Sequence, residues 1–173
     1  MVFQDPFASL NPRTRVGEII ARGAVLQGQS PDAAMNQARQ LLELVGLDAK
    51  AADRFPHEFS GGQRQRVGIA RALAVKPDIL IADEPVSALD VSVQKQVLDL
   101  LDDLRRQFSL TMLFITHDLR VAAHVCEEIV VLKSGAIVER GMTADIFANP
   151  RHEYTRTLLS SVPGRDWQLT AAV

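Results

Sequence analysis

Only one cysteine, Cys126, occurs in the 173 residues. A single thiol forms no internal disulfide, and it falls short of the ligands that a cysteine-rich metal or iron–sulfur site needs. Long apolar runs are missing as well, since none approaches the roughly 18 residues of a membrane span. The opening residues, Met1-Val2-Phe3-Gln4-Asp5-Pro6, carry no basic stretch leading into an apolar one and do not read as a signal peptide. Nor is there an excess of positive charge. Nineteen Lys and Arg stand against 21 Asp and Glu, a net charge of −2 that argues against a nucleic-acid binder. No internal repeat and no low-complexity segment is present. What is there is a chain 47% hydrophobic, enough to build a sizeable core, and the composition reads as cytosolic and globular.

Periodicity divides the chain in two. Residues 1–14, with two prolines and an Asn-Pro step, read as a strand end followed by a loop. Helical spacing follows at Val16, Ile19, Ile20 and Ala24. Ser30-Pro31-Asp32 supplies an N-cap, a first-turn proline and a first-turn acid. The next helix buries Met35, Ala38, Leu41, Leu42 and Val45, and Gly46 is placed to end it. A further helix opens at Ser60-Gly61-Gly62-Gln63, with Val67, Ala70, Leu73 and Ala74 on one face. From residue 78 the character changes. The apolar runs 78–83, 111–116 and 128–133 suit strands covered on both faces. Helical stretches lie between them, at 91–108 (Val93, Val97, Leu100, Leu101, Leu104 and Phe108 inward) and at about 118–126. This alternation predicts a parallel α/β sheet. Ser134-Gly135 predicts a tight turn into a last strand, 136–140, and two short helices flank Asn149-Pro150.

Several stretches carry possible chemistry. In ILIADEP, residues 79–85, a buried run ends in Asp83 and Glu84. Isolated buried charge is costly, so such a pair at a strand end points to a cation or a water. A magnesium ion held by substrate phosphates takes only one or two protein carboxylates, and water attacking a phosphate needs a neighbour to orient it. The plainer alternative is an exposed acidic turn. In FSGGQ, residues 59–63, two glycines admit close approach of a ligand to a helix N-terminus, and Ser60 adds a hydroxyl. A simple N-cap is the alternative. His117, in FITHDL, follows another apolar strand and can reach a phosphate oxygen or a water, or be structural. Gln4 ends the first apolar stretch, where its amide can bridge a metal-bound water. Asp90, in SALD, precedes a long helix and can be an ordinary N-cap.

The order Gln4, FSGGQ, ILIADE, SALD, His117 resembles the ATP-binding-cassette ATPases throughout, over essentially the whole chain. In that family these stretches are the Q-loop, the signature motif, the Walker B strand, the D-loop and the switch histidine. Phe59 stands where the signature usually has leucine, a mild apolar change. FQDPFASLNPR, residues 3–13, and NPRHEYTRTLLSSVP, residues 149–163, are similar to the Q-loop region and C-terminal tail of oligopeptide and dipeptide importer ATPases. The tail agrees at Asn149, Pro150, His152, Tyr154, Thr155, Leu158, Leu159 and Pro163. Nickel and glutathione importers share this tail.

The resemblance implies a partial P-loop NTPase core of the ABC type, α/β with a mainly parallel sheet. Residues 1–14 would be its Q-loop end, 15–76 a helical signature subdomain, 77–141 the second half of the core and 142–173 the importer-type tail. It implies ATP and Mg²⁺ as cofactors. It also implies a second ATPase subunit closing head to tail, a transmembrane permease as partner, and a peripheral position on the cytoplasmic face of the bacterial inner membrane. By the same resemblance Asp83 holds Mg²⁺ through water and Glu84 is the general base. His117 contacts the γ-phosphate, and Gln4 senses the metal and the attacking water. Ser60, Gly61, Gly62 and Gln63 cap the partner's nucleotide, and Asp90 crosses the dimer interface. The family places a G-x-x-x-x-G-K-[ST] loop and an adenine-stacking aromatic before the Q-loop. None of the ten glycines here is followed by lysine. The expectation is therefore an N-terminally truncated chain with exposed strand edges and no useful ATP affinity alone. A non-catalytic donor of the signature loop, and a cassette ATPase acting on DNA or ribosomes, are the competing readings. The net charge and the tail argue against the latter.

Overall fold

The computed structural model describes residues 1–5 and 8–161. The chain forms two compact units, Met1–Ile115 and Thr116–Val173. In the first, helices α1 (Val16–Leu26), α2 (Pro31–Leu44) and α3 (Gly61–Leu73) pack on one another, with short 3-10 turns at Ala49–Asp53 and Pro56–Glu58 between the last two. Ile20, Ala38, Leu42, Val45, Val67, Ile69 and Ala70 are fully buried between them. Met35 is only half-buried, and Ala34 takes its place in the core. The local signals act as their chemistry requires. The Ser30 hydroxyl accepts from Ala33 N–H at 3.4 Å to start α2. Gly46, at φ +77°, ends it, with Gly46 N–H on the Glu43 carbonyl and Leu47 N–H on that of Leu42. That pair of bonds is a Schellman motif, which needs a left-handed residue at Gly46.

Strands β1 (Ile79–Asp83) and β2 (Thr111–Ile115) pair in parallel, with Asp83 opposite Ile115. Val2 adds to the other side of β1 by a parallel bridge to Ala82, its N–H on the Ile81 carbonyl at 2.8 Å. Helix α4 (Val91–Phe108) connects the two strands and buries Val97, Leu98, Leu101 and Leu104. Phe108, expected inward, is exposed. Ser109 turns left-handed at φ +50°, and Leu110 N–H closes back on the Arg105 carbonyl. The turn carries Leu110 into the core in place of Phe108. The strands also differ from expectation, since only one face is covered among the described residues. Leu80 and Ala82 are buried, whereas Ile79, Leu113 and Ile115 are exposed by 45–62%.

In the second unit, α5 (Leu119–Val125) precedes β3 (Glu128–Lys133) and β4 (Ala136–Met142). The third apolar run does not join β1 and β2 in the parallel sheet. It pairs antiparallel with β4 across Ser134-Gly135, where φ is +50° and +81°. A two-residue turn with both φ positive matches the twist of a hairpin, so the local connection decides the pairing. Helices α6 (Thr143–Ala148) and α7 (Glu153–Ser160) flank Asn149-Pro150 as expected. The Glu139 carboxylate of β4 accepts the N–H groups of Arg151 at 2.7 Å and His152 at 3.1 Å, and the His152 ring caps α7 by accepting from Tyr154 N–H. Pro163 lies outside the described residues.

Candidate functional site

The end of β1 is fixed from both sides. Asp83 N–H donates to the Val2 carbonyl at 3.0 Å, and Glu84 N–H donates to the Ile115 carbonyl at 2.9 Å. Glu84 then turns left-handed at φ +42°, with its own carbonyl accepting from Ser87 N–H and Oγ. A non-glycine residue in that region is uncommon, and such residues gather at functional sites. Pro85 and Val86 are buried just beyond and anchor the turn. Because Val2 bridges Ala82, the chain running on from Val2 brings Gln4 beside this corner. Gln4 Nε2 donates to Glu84 Oε2 at 2.8 Å, joining residues 80 positions apart.

The FSGGQ stretch forms the start of α3. Ser60 Oγ accepts from Gln63 N–H at 3.3 Å, and Gln63 Oε1 accepts from Ser60 N–H at 3.0 Å, a complete capping box. The first N–H groups of a helix have no intrahelical acceptor, so those of Gly61 and Gly62 point out at its positive end. Gly62 has a second task. A Cβ there would lie 2.5 Å from Val93 Cγ1 on α4, so the glycine is what lets the two helices approach. Three neighbours that the sequence reading left without a role hold the loop's surroundings. Arg64 donates to the Pro56 carbonyl at 2.7 Å, Arg66 to that of Val45 at 2.6 Å, and the Arg54 guanidinium lies 4.4 Å over the ring of buried Phe59. Arg64 and Arg66, two residues apart near the start of α3, are the available signal, but both donate to backbone carbonyls that no side-chain pattern marks.

Asp90 is the N-cap of α4, accepting from Val93 N–H at 3.0 Å and Ser92 Oγ at 2.7 Å. The Ser92 hydroxyl and then the Val93 N–H hold its carboxyl below the usual carboxylate range. The loop from Glu84 to Asp90 is tied further by Gln94, whose Nε2 donates to the carbonyls of Val86 and Leu89, each at 3.0 Å. In the second unit, His117 is exposed in the connection before α5. Beside it, Asp118 caps α5 by accepting from Arg120 N–H at 2.9 Å and pairs with the Arg120 guanidinium.

At the β1 corner the donors are the oxygens of Asp83 and Glu84 and the amide of Gln4. That set suits a hard cation already held by phosphates rather than a protein cage. Among the described residues no group of three or more His, Cys, Asp or Glu is placed to hold a metal. At the α3 corner, outward N–H groups and a hydroxyl suit phosphate oxygens. Both corners therefore fit Mg-ATP, and a Gly-Lys phosphate cradle is not among the 173 residues.

Comparison with known proteins bears on the same residues. The family model described as "ABC transporter" matches residues 1–87, from the bridge at Val2 through the turn after Glu84. The chain belongs to the ABC transporter family. A second model, "Oligopeptide/dipeptide transporter, C-terminal region", matches residues 138–171 of this ABC transporter chain. A putative peptide import ATP-binding protein of Brucella ovis is 53% identical over 166 residues, which are 95% of this chain and 52% of that protein. The oligopeptide transport ATP-binding protein OppF of Bacillus subtilis is 50% identical over 165 residues, 94% of this chain and 54% of OppF. The chain thus spans about half the length of these curated relatives. A dimeric ATP-binding cassette in a post-hydrolysis state bound to ADP and Pi superimposes with a TM-score of 0.69 at 31% identity, covering 82% of this chain and 62% of that one. Structurally similar too is cbiO1 of Clostridium perfringens, part of the transporter complex cbiONQ, with a TM-score of 0.75 at 29% identity over 94% of this chain and 63% of that one. The α/β fold is that of part of an ABC-type P-loop NTPase core.

Proposed function

We propose that this chain carries the hydrolytic base and the signature loop of the ATP-hydrolysing subunit of a peptide importer. The observation that carries the reading is the hydrogen bond from Gln4 to Glu84, which joins an amide and a carboxylate beside Asp83 at a strand end. When bound, Mg-ATP supplies the terminal phosphoryl group and the cation that attack by water requires. Asp83 would hold the cation. Glu84 would take the proton of the attacking water, and Gln4, bonded to Glu84 Oε2, would keep that carboxylate oriented. His117 would contact the γ-phosphate. Ser60, Gly61, Gly62 and Gln63 act on the nucleotide of a second subunit, packed head to tail, and Asp90 meets that subunit at the interface. The dimeric ADP-bound cassette among the similar structures supports such pairing. The importer-type C-terminal match and the names of the relatives support peptides as cargo, a membrane permease as partner, and a peripheral place on the cytoplasmic face of the bacterial membrane.

A second role is favoured by one contrast. The capping box of the signature corner is complete within this chain, whereas no Gly-Lys cradle is present in it. By themselves these 173 residues would depend on a cradle supplied from outside them to bind Mg-ATP, and their signature loop would be available to the nucleotide of an intact subunit. Titrating the chain into an intact peptide-importer ATPase tests both statements. We expect the turnover of the intact subunit to change, and Ser60→Arg to remove the effect. No change with the wild-type chain sinks the signature-donor role, and tight Mg-ATP binding by the chain alone sinks the dependence on an external cradle.

A further inference from the structure

Among the described residues only three polar side chains are buried, and Gln65 is the largest, at 1% exposure. It sits on α3, within two turns of the signature cap. A buried amide is unfavourable unless bonded, and a methionine would fill the same space without that cost. Its Nε2 donates to the carbonyl of Phe3, at 3.4 Å. The next residue in the chain is Gln4. Further along α3, Arg71 acts on the same segment. Its Nη1 donates to the Ser9 carbonyl and its guanidinium lies 5.7 Å from the Phe3 ring centroid. Its Nη2 is buried with no hydrogen-bond partner among the described residues, and burial lowers the pKa of the group. Two side chains of α3 thus hold the Gln4 segment on both flanks, each at the expense of burying a polar or charged group.

We propose that Gln65 and Arg71 are positioning residues that set the Gln4 amide on the Glu84 carboxylate, so that the helix opened by the signature loop fixes the orientation of the hydrolytic base. The functional weight of this clasp rests on Glu84 being that base; the clasp itself does not. A purely structural pair would stabilise α3 against the segment without deciding what Gln4 touches.

The test is made on the nucleotide-free chain by following the side-chain NH₂ resonances of Gln4, identified by their loss in Gln4→Ala. Glu84→Ala shifts those resonances in the wild-type background. In a Gln65→Met background, which keeps the volume and removes the donor, Glu84→Ala is expected to leave them unmoved, while the backbone signals of α1 and α2 stay in place. A lowered melting temperature with the full shift retained would show a structural role only and overturn the proposal. If Gln65→Met does not fold, Arg71→Lys carries the test, because it keeps a cation over Phe3 and loses the guanidinium fork. At least a twofold smaller shift is expected there, and an undiminished one overturns the proposal. No nucleotide enters the measurement, so its failure leaves the ATPase reading standing, and a chain without ATPase function would leave the clasp standing.

Discussion

Glu84 and Gly62 each answer to two demands. The backbone of Glu84 is held left-handed by bonds to Ile115 and Ser87 while its carboxylate meets Gln4. Gly62 opens α3 at the proposed phosphate-facing corner, yet its missing side chain is what Val93 packs against. Alanine at a helical position normally gains up to about 1 kcal/mol over glycine. Here overpacking, typically about 1–3 kcal/mol, opposes it, because the β-branched Val93 has little rotamer freedom with which to yield. Gly62→Ala is therefore expected to be destabilising by about 1–2 kcal/mol in urea unfolding. Adding Val93→Ala should recover more than the two single effects predict, as for residues in direct contact. The paired glycines of FSGGQ mark a place of close approach, and by sequence alone the approaching group is expected to be a ligand. Nothing local to Gly62 shows that α4, which opens only at Val91, returns to it.

Elements with strong end signals were legible, and those defined by distant partners were not. Helix α4 runs over residues 91–108 as its apolar spacing predicts, and α2 starts at Ser30 and stops at Gly46 through the bonds those residues favour. Phe108 ends exposed because the left-handed turn at Ser109, directly after it, carries Leu110 into the core instead. The third apolar run failed because its pairing is set by the Ser134-Gly135 turn rather than by the alternation of elements. Helix α5 offers a test of capping. Asp118 has its pKa lowered chiefly by its hydrogen bonds to the Arg120 side chain, with smaller help from the Arg120 N–H. A depressed carboxyl pKa adds stability that is present above the unfolded value, near 4, and is lost as pH falls through the folded value below it. Asp118→Ala should lower stability by about 1 kcal/mol at neutral pH. The difference from wild type should hold down to about pH 4 and shrink as the pH falls further, through the lowered folded pKa, as read by urea unfolding across pH.

At the scale of the molecule, the order of motifs was legible while the contacts among them were not. Gln4 and Glu84 were each identified, but the bond between them depends on the bridge from Val2 to Ala82, which no spacing reveals. Gln65, Arg71 and Gln94 went unread because each bonds a backbone carbonyl, which no side-chain pattern marks. The open face of the β1–β2 sheet carries Ile79, Leu113 and Ile115. Exposed apolar sheet faces associate. The chain should therefore self-associate in sedimentation velocity, and Leu113→Thr with Ile115→Thr should shift it toward monomer without loss of circular-dichroism signal.

The most direct test supplies, as a separate polypeptide, the half of the Brucella relative that this chain does not match, and measures ATP turnover with wild-type chain and with Glu84→Gln. The account predicts turnover with the wild-type chain and a loss on the order of 10²–10⁴-fold with Glu84→Gln, as expected for a general base. Equal turnover by the two would show that Glu84 is not the base and contradict the account at its centre.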